Sequence, residues 1–309
     1  MNRFKLLALL LLSGLVFITT PVYARALSGK CGKQVVWQMD TVNHTLTISG
    51  TGDMKNYKSS SKTPWVYYRD IILSVIIKEG VTGLGNNAFG FMQALQDVSI
   101  PNTVNYIGDY CFHGCMSLKS IHLPNSIMTI KRGAFSACRL LSIVEMSDHL
   151  TELGAYAFYG CQSLQSISLP DGLNIVKSAT FFECTSLNFV QLGKGVEKIE
   201  LDAFGFCLSL QNIILPQSLM LIDMEAFFAC MGMESIDIPI NVKKIGERAF
   251  CRCYSLTSVN IPLDIKKIGV DAFTDCFQLK TVELPLPLMK KSKRIFKGSA
   301  NGVKVKTKE

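Results

Sequence analysis

The chain has 309 residues, 48% of them hydrophobic and 18% charged, with eleven cysteines, four histidines and a formal net charge of +8. The charge is uneven: Arg3 and Lys5 lie at the start, residues 290–309 carry eight Lys or Arg against Glu309, and the long middle is close to neutral. That distribution argues against a specific nucleic-acid binder, and four scattered histidines (His44, His113, His122, His149) are thin material for an active site.

In chain order the first element is an export signal. Arg3 and Lys5 precede an apolar run from Leu6 to Phe17, and Val22-Tyr23-Ala24 offers small residues for cleavage near Ala24. No cysteine closes the run, so no lipoprotein anchor is expected, and no later stretch reaches the roughly 18 apolar residues of a membrane span. Residues 1–24 are thus assigned to a signal peptide, and the mature protein to the secreted or cell-surface compartment.

Residues 25–65 are expected to form a small N-terminal β cap. Val35 to Met39 and Thr45 to Ile48 alternate apolar and polar side chains around Thr41 to His44, the pattern of a hairpin. The cap would cover the open edge of whatever sheet follows. Asn43-His44-Thr45 is also a glycosylation sequon, of consequence only in a eukaryotic secretory pathway.

Residues 66–295 are dominated by one period. Phenylalanine recurs every 23 residues at Phe89, Phe112, Phe135, Phe158, Phe181, Phe204, Phe227, Phe250, Phe273 and Phe296, without insertion or deletion. A fixed period of this size means that each copy is one rung of a solenoid, too small to bury its own apolar face and stable only when stacked. One copy upstream the frame falls on Val66, giving ten 23-residue units.

Within a rung, Phe112, Cys115, Leu118, Ile121, Leu123, Ile127 and Ile130 mark the inward positions. Ile121 and Leu123 stand two residues apart, as in a strand with one buried face, so each rung is expected to contribute one short parallel strand. Proline follows in most copies (Pro101, Pro124, Pro170, Pro216, Pro239, Pro262, Pro285); lacking an N–H, it marks where the chain leaves the sheet. The return path is too short for a long helix and should consist of turns, a 3-10 segment or a second short strand.

Cysteine in an exported chain usually suggests disulfides. Here Cys115, Cys138, Cys161, Cys184, Cys207, Cys230, Cys253 and Cys276 share one rung position and should stack in a column about 4.8 Å apart, with parallel rather than converging Cβ vectors. They are expected to be buried free thiols, leaving Cys31, Cys111 and Cys251 as the better candidates for any bridge. Cys111, His113 and Cys115 are close in sequence, but no fourth ligand follows at zinc-type spacing, so neither metal nor other cofactor is expected. No nucleophile elbow, phosphate loop or His-Glu-x-x-His motif occurs, and an enzyme is not expected. His122 and Glu145 form the single His–carboxylate pair that the frame sets side by side.

The outward strand positions are the candidate binding surface. Eight residues after each phenylalanine the chain reads Asp97, Ser120, Ile143, Ser166, Phe189, Asn212, Ser235, Ser258, Thr281; two further on it reads Ser99, His122, Glu145, Ser168, Gln191, Ile214, Asp237, Asn260, Glu283. On this small, polar, continuous face Ile143, Phe189 and Ile214 stand out, with Phe189 and Ile214 as diagonal neighbours. They read as a protein-binding hot spot, as a platform for a sugar, or as ordinary exposed residues filling a curved sheet. The candidate ligand-binding set is Ser120, His122, Ile143, Glu145, Phe189, Gln191, Asn212 and Ile214.

Residues 296–309 close the array as a truncated last rung. Lys290, Lys291, Lys293, Arg294 and Lys297, followed by Lys304, Lys306 and Lys308, form a basic tail. It reads either as a solvated end that blocks edge pairing or as a salt-sensitive contact for an acidic envelope, glycan or nucleic acid.

The rung pattern resembles the BspA-like class of leucine-rich repeats: an Ala-Phe pair, Cys or Asn three residues on, then Leu-x-x-Ile-x-Leu-Pro. Phe158-Tyr159-Gly160-Cys161-Gln162-Ser163-Leu164-Gln165-Ser166-Ile167-Ser168-Leu169-Pro170 matches throughout. Gly50-Thr51-Gly52-Asp53-Met54 and Pro64-Trp65 resemble that family's N-terminal cap, and Phe296-Lys297-Gly298 through Val303 and Val305 its last rung, so the likeness spans roughly residues 31–309. It implies a mainly β leucine-rich-repeat solenoid, with a parallel sheet on the concave face and short turns or 3-10 segments on the convex side. It also implies a surface protein, since relatives are associated with adhesion to host proteins such as fibronectin and fibrinogen and with contacts between bacteria. An extracellular or host protein ligand is the leading expectation and a glycan the alternative, with the chain acting as a monomer.

Overall fold

A computed structural model describes residues 27–299 and 303–308; the expected signal peptide and its cleavage point near Ala24 lie outside the described residues. The chain is a β-solenoid of about ten turns behind a β cap. In the cap, β1 (Ser28–Lys30) and β2 (Gly32–Asp40) pair antiparallel, and β2 pairs antiparallel with β3 (Thr45–Met54). Asp40 holds the turn between β2 and β3 by accepting the N–H groups of Val42 and Asn43, each at 2.9 Å.

The cap also templates the solenoid. The first half of β3 pairs parallel with β4 (Ser74–Ile77), and its second half pairs with β5 (Val81–Leu84). Two columns of parallel strands follow from these. One begins with Asp97–Ser99 on β4 and continues, in separately paired groups, through the three-residue strands expected from the sequence, such as Ser120–His122; the other consists of two-residue strands such as Tyr106–Ile107, Thr129–Ile130 and Glu152–Leu153. The return path therefore contains a second short strand together with turns.

Proline launches that return. Its carbonyl accepts an N–H from three residues on, as in Ile127 to Pro124 at 2.9 Å, so the residue that cannot extend the ladder closes the next turn.

The interior is a set of unbroken columns. Trp65 and the ten phenylalanines stack face to face with ring centroids 5.0–5.7 Å apart. The sequence frame puts Val66 at the head of this stack. The ring that stacks on Phe89 is instead Trp65, one residue earlier, fully buried and donating from Nε1 to the Ala88 carbonyl at 2.9 Å. A 3-10 turn, Val66–Tyr68, follows, and by Ser74, which pairs with Asp97, the 23-residue register is restored.

Beside the rings, each column thiol donates to the phenylalanine carbonyl of the preceding rung at 3.2–3.4 Å, as in Cys184 to Phe158. All eleven cysteines are free and buried, including Cys31, Cys111 and Cys251, the three left open for a bridge by their place outside the column. Burial pushes the thiols of Cys31, Cys138 and Cys276 up to about 12. They are therefore inert neutral donors at physiological pH.

The turn around each phenylalanine from Phe89 to Phe273 uses two left-handed residues. In one rung Tyr156 (φ 60°) and Gly160 (φ 68°) flank Phe158. The N–H groups of Tyr156, Phe158 and Gly160 donate to Ser178, Thr180 and Phe182 of the next rung at 2.8–3.1 Å, while Ala157, Tyr159 and Cys161 donate back within their own rung. The same two columns hold Ala179, Glu183, Asp202, Phe206, Arg248 and Arg252, none with glycine's freedom. The inter-rung hydrogen bonds impose the conformation whatever side chain is present.

Candidate functional site

The outward strand columns point where the period requires. In the Ser120–His122 strand the outer two residues are exposed and Ile121 is buried, because successive side chains on a strand alternate faces. His122 Nδ1 meets Glu145 Oε2 at 2.7 Å, both side chains about two-thirds exposed. Ile143 and Ile214 are exposed at 58% and 53%. Phe189 lies across from Asn212, and Gln191 across from Ile214, which makes Phe189 and Ile214 diagonal neighbours; Phe189 is only half-exposed.

The face is not continuous, contrary to the sequence expectation. Ser120–His122 pairs with Ile143–Glu145, and Ser166–Ser168 pairs with Phe189–Gln191 and through it with Asn212–Ile214. Ser235–Asp237 pairs only with Ser258–Asn260. Among the described residues no strand ladder joins Asp97–Ser99 to Ser120–His122, Ile143–Glu145 to Ser166–Ser168, Asn212–Ile214 to Ser235–Asp237, or Ser258–Asn260 to Thr281–Pro285. The candidate residues thus fall into two groups: Ser120, His122, Ile143 and Glu145 on one patch, and Phe189, Gln191, Asn212 and Ile214 on another.

Two of these breaks, after Ile143–Glu145 and after Asn212–Ile214, open clefts beside partly exposed inward side chains. Val144 and Met146, at the first, are partly exposed and line a cleft of about 290 Å³. At the second, Ile213 and Leu215 are likewise partly exposed beside a cleft of about 680 Å³ that also takes in Ile214, Asp237, Ile240 and Leu263. Lys308, from the last rung, reaches this cleft, its Nζ donating to Asn260 Oδ1 at 2.8 Å and to the Ile261 carbonyl at 2.7 Å.

Ile240 and Leu263 belong to a column the sequence reading passed over. Thirteen residues after each phenylalanine the chain reads Asn102, Asn125, Asp148, Asp171, Lys194 and Gln217, then Ile240, Leu263 and Leu286. All are exposed, the last three at 63%, 49% and 70%. The signal was a switch from polar to apolar within one repeat position, visible only when every column is read and not just those of the strand.

The basic residues occupy the far end. Lys290 and Lys291 end a 3-10 turn over Leu286–Lys291, Lys293 and Arg294 lie in a short helix, α1 (Ser292–Ile295), and Lys297 follows it. Lys304, Lys306 and Lys308 lie in the last strand, Lys304–Lys308, with Lys304 opposite Thr281 and Lys306 opposite Glu283. Among the described residues none of these eight makes an ion pair.

The Cys111, His113, Cys115 group does not converge on one point. The Cys115 thiol is committed to the Phe89 carbonyl at 3.2 Å, whereas His113 Nδ1 contacts Ser136 Oγ at 2.5 Å outside the column. Burial lowers the His113 pKa, favouring its neutral form. No helix among the described residues is long and apolar enough to cross a membrane.

Comparison with known proteins agrees with this architecture. A solved leucine-rich repeat protein from Bacteroides ovatus is similar at 24% identity and TM-score 0.55, over 89% of this chain and 98% of that one. A leucine rich repeat protein of T. pallidum (22% identity, 86% and 95% covered, TM-score 0.45) and a leucine rich cell surface protein from Faecalibacterium prausnitzii (20%, 80% and 92%, 0.38) are more distant in shape. No curated protein matches the sequence. The family model described as the BspA type leucine rich repeat region matches residues 65–188 and 174–302, nearly all of the stacked rungs; by that match and by its ring and thiol columns, the chain belongs to the BspA-type leucine-rich-repeat family.

Proposed function

We propose that the protein is exported and acts at the cell surface as an adhesive binding protein, taking a protein ligand on the outward strand face. The observation that carries this reading is the pair Phe189 and Ile214, apolar side chains set diagonally on one sheet among Ser166, Ser168, Gln191 and Asn212. Large side chains held on a rigid sheet lose little entropy on binding, and a polar surround excludes water from the contact. A family whose fold is a scaffold for protein interaction supports the same reading.

The test is binding of residues 25–309 to an array of extracellular-matrix proteins and glycans at low and high salt, beside a Phe189→Ala, Ile214→Ala double variant. Salt-resistant protein binding, weakened at least about tenfold in the variant, is the expected result. Binding that the variant leaves unchanged but salt abolishes would sink the hot-spot reading. It would favour the second reading, a glycan or envelope contact through the basic tail, for which the eight unpaired cations speak.

A further inference from the structure

We infer that the C-terminal third of the solenoid carries a composite docking track for an acidic polypeptide, made of Ile240, Leu263 and Leu286 and ending on Lys304 and Lys306. It rests on the reading of the strand face as a protein-binding surface and names where on that face, and with what chemistry, the partner is held.

The apolar part has no evident structural use. In two earlier rungs the side chain at this position serves its neighbour: Asn125 Oδ1 accepts the Asp148 N–H at 2.9 Å, and Asp171 Oδ1 accepts the Lys194 N–H at 2.8 Å. Isoleucine and leucine offer no acceptor, and at 49–70% exposure they pack little against the core. After six polar or charged residues at this position, three successive rungs carry an apolar side chain instead. The first two, Ile240 and Leu263, line the 680 Å³ cleft, where Ile214 adds another apolar group and Asn212 offers an amide to a peptide backbone.

Charge identifies the occupant. Beyond the apolar track, the outward positions of the final strand are Lys304 and Lys306, the first lysines in two columns that in the preceding rungs are polar, apolar or acidic, with Thr281 and Glu283 directly before them. Lys290 and Lys291 close the 3-10 turn that begins at Leu286. Lys308 lines the cleft, held by an amide and a carbonyl rather than by a carboxylate. A ligand lying along the axis therefore meets apolar side chains over three rungs, then several cations that make no ion pair among the described residues. At about 4.8 Å per rung and about 3.3 Å per extended residue, three rungs match a few residues of extended chain. A polypeptide with spaced apolar side chains followed by Asp or Glu fits both parts. A nucleic acid would leave the apolar track unused, and a second copy of this chain would bring its own basic end against this one.

The track can be tested with a dye-labelled synthetic peptide that alternates leucine with serine and ends in a run of glutamates. Two control peptides replace the leucines by serine or the glutamates by lysine. The leucine–glutamate peptide should bind residues 25–309 at least about tenfold more tightly than either control. An Ile240→Ser, Leu263→Ser variant should lose the preference for leucine, and a Lys304→Ser, Lys306→Ser variant the preference for glutamate. All four positions lie on the surface, and unchanged circular dichroism would confirm that both variants fold. Equal binding of the leucine and serine peptides, no binding at all, or a track variant that binds normally would each overturn the proposal. So would a sedimentation-detected dimer abolished by the track substitutions, which would assign the surface to self-association. The peptide contains no adhesion sequence, so its failure sinks the track alone, while failure of the matrix-protein array sinks the adhesive reading alone.

Discussion

Between Phe158 and Phe250 the buried rings repeat at 5.1–5.6 Å with planes within 8° of parallel. Over the same rungs the outward face changes from Ser166 and Ser168 to Phe189 and Gln191, then to Asn212 and Ile214, and its ladder breaks before Ser235. One region is uniform because every rung must present the same shape to the next. The other varies because no neighbour constrains it, and the variation is where a ligand can be told from solvent. On the proposed reading, stability and binding are separated by face in this molecule, and the separation can be tested by substitution.

The largest effect belongs to the ring stack. Phe181 is fully buried between Phe158 and Phe204, at 5.6 and 5.3 Å. Phe181→Ala removes both ring contacts and leaves a void that adjacent rungs cannot collapse into, since each is held by its own hydrogen bonds. The expected loss is about 3–5 kcal/mol, read from urea denaturation. In a linear array such a lesion also weakens the coupling between the two halves, so the transition should broaden or split. A loss comparable to that of a surface substitution would break the comparison, showing that the stack is dispensable.

This division was partly legible in the sequence. The phenylalanine, cysteine and leucine columns could be read because each rung restates them, and the outward positions followed from alternation about Ile121 or Ile167. Trp65 escaped because the period was extended without allowing a one-residue slip at the cap. The left-handed columns escaped because Tyr156, Ala179, Glu183 and Phe206 carry no sequence mark of positive φ; hydrogen bonds between rungs impose it. The break after Asn212–Ile214 was equally hidden, since Leu215-Pro216 reads like Leu169-Pro170 in a rung that stays paired. The track of Ile240, Leu263 and Leu286 was present in the letters, in a position not suspected of reaching the binding face.

A smaller effect comes from the turn side, where charge enters one of the left-handed columns. Asp202 has φ 56°, and its Oδ1 is buried without a hydrogen-bond partner. Glu225 sits in the same column of the next rung and is itself paired with Arg248 at 2.7 Å. Burial first, then the neighbouring Glu225, pushes the Asp202 pKa from 3.8 to about 6. The folded chain thus binds this proton more tightly than the unfolded chain does. The stability it contributes is full below about pH 4 and is lost as pH rises through about 6. Asp202→Asn keeps a neutral side chain that tolerates the left-handed region, so near neutral pH the variant should be more stable. Each pKa unit corresponds to about 1.4 kcal/mol, but partial solvent access reduces the gain to about 1 kcal/mol. Thermal melts across this pH range should show the advantage shrinking toward pH 4; a gain that does not vary with pH would place its origin in backbone preference rather than in the buried charge.

The smallest effect is expected on the outward face itself. His122 and Glu145 touch at 2.7 Å across two paired strands, yet both remain about two-thirds exposed, so water competes for each partner and salt screens what attraction is left. Their replacement by alanine should move the folding free energy by less than about 0.5 kcal/mol, because the ladder between Ser120–His122 and Ile143–Glu145 is made by backbone groups that the substitutions do not touch. A loss above about 1 kcal/mol in the same urea titration would mean that the outward columns help bind rung to rung. The variation along that face would then have to be read as a stability pattern before it could be read as a binding site.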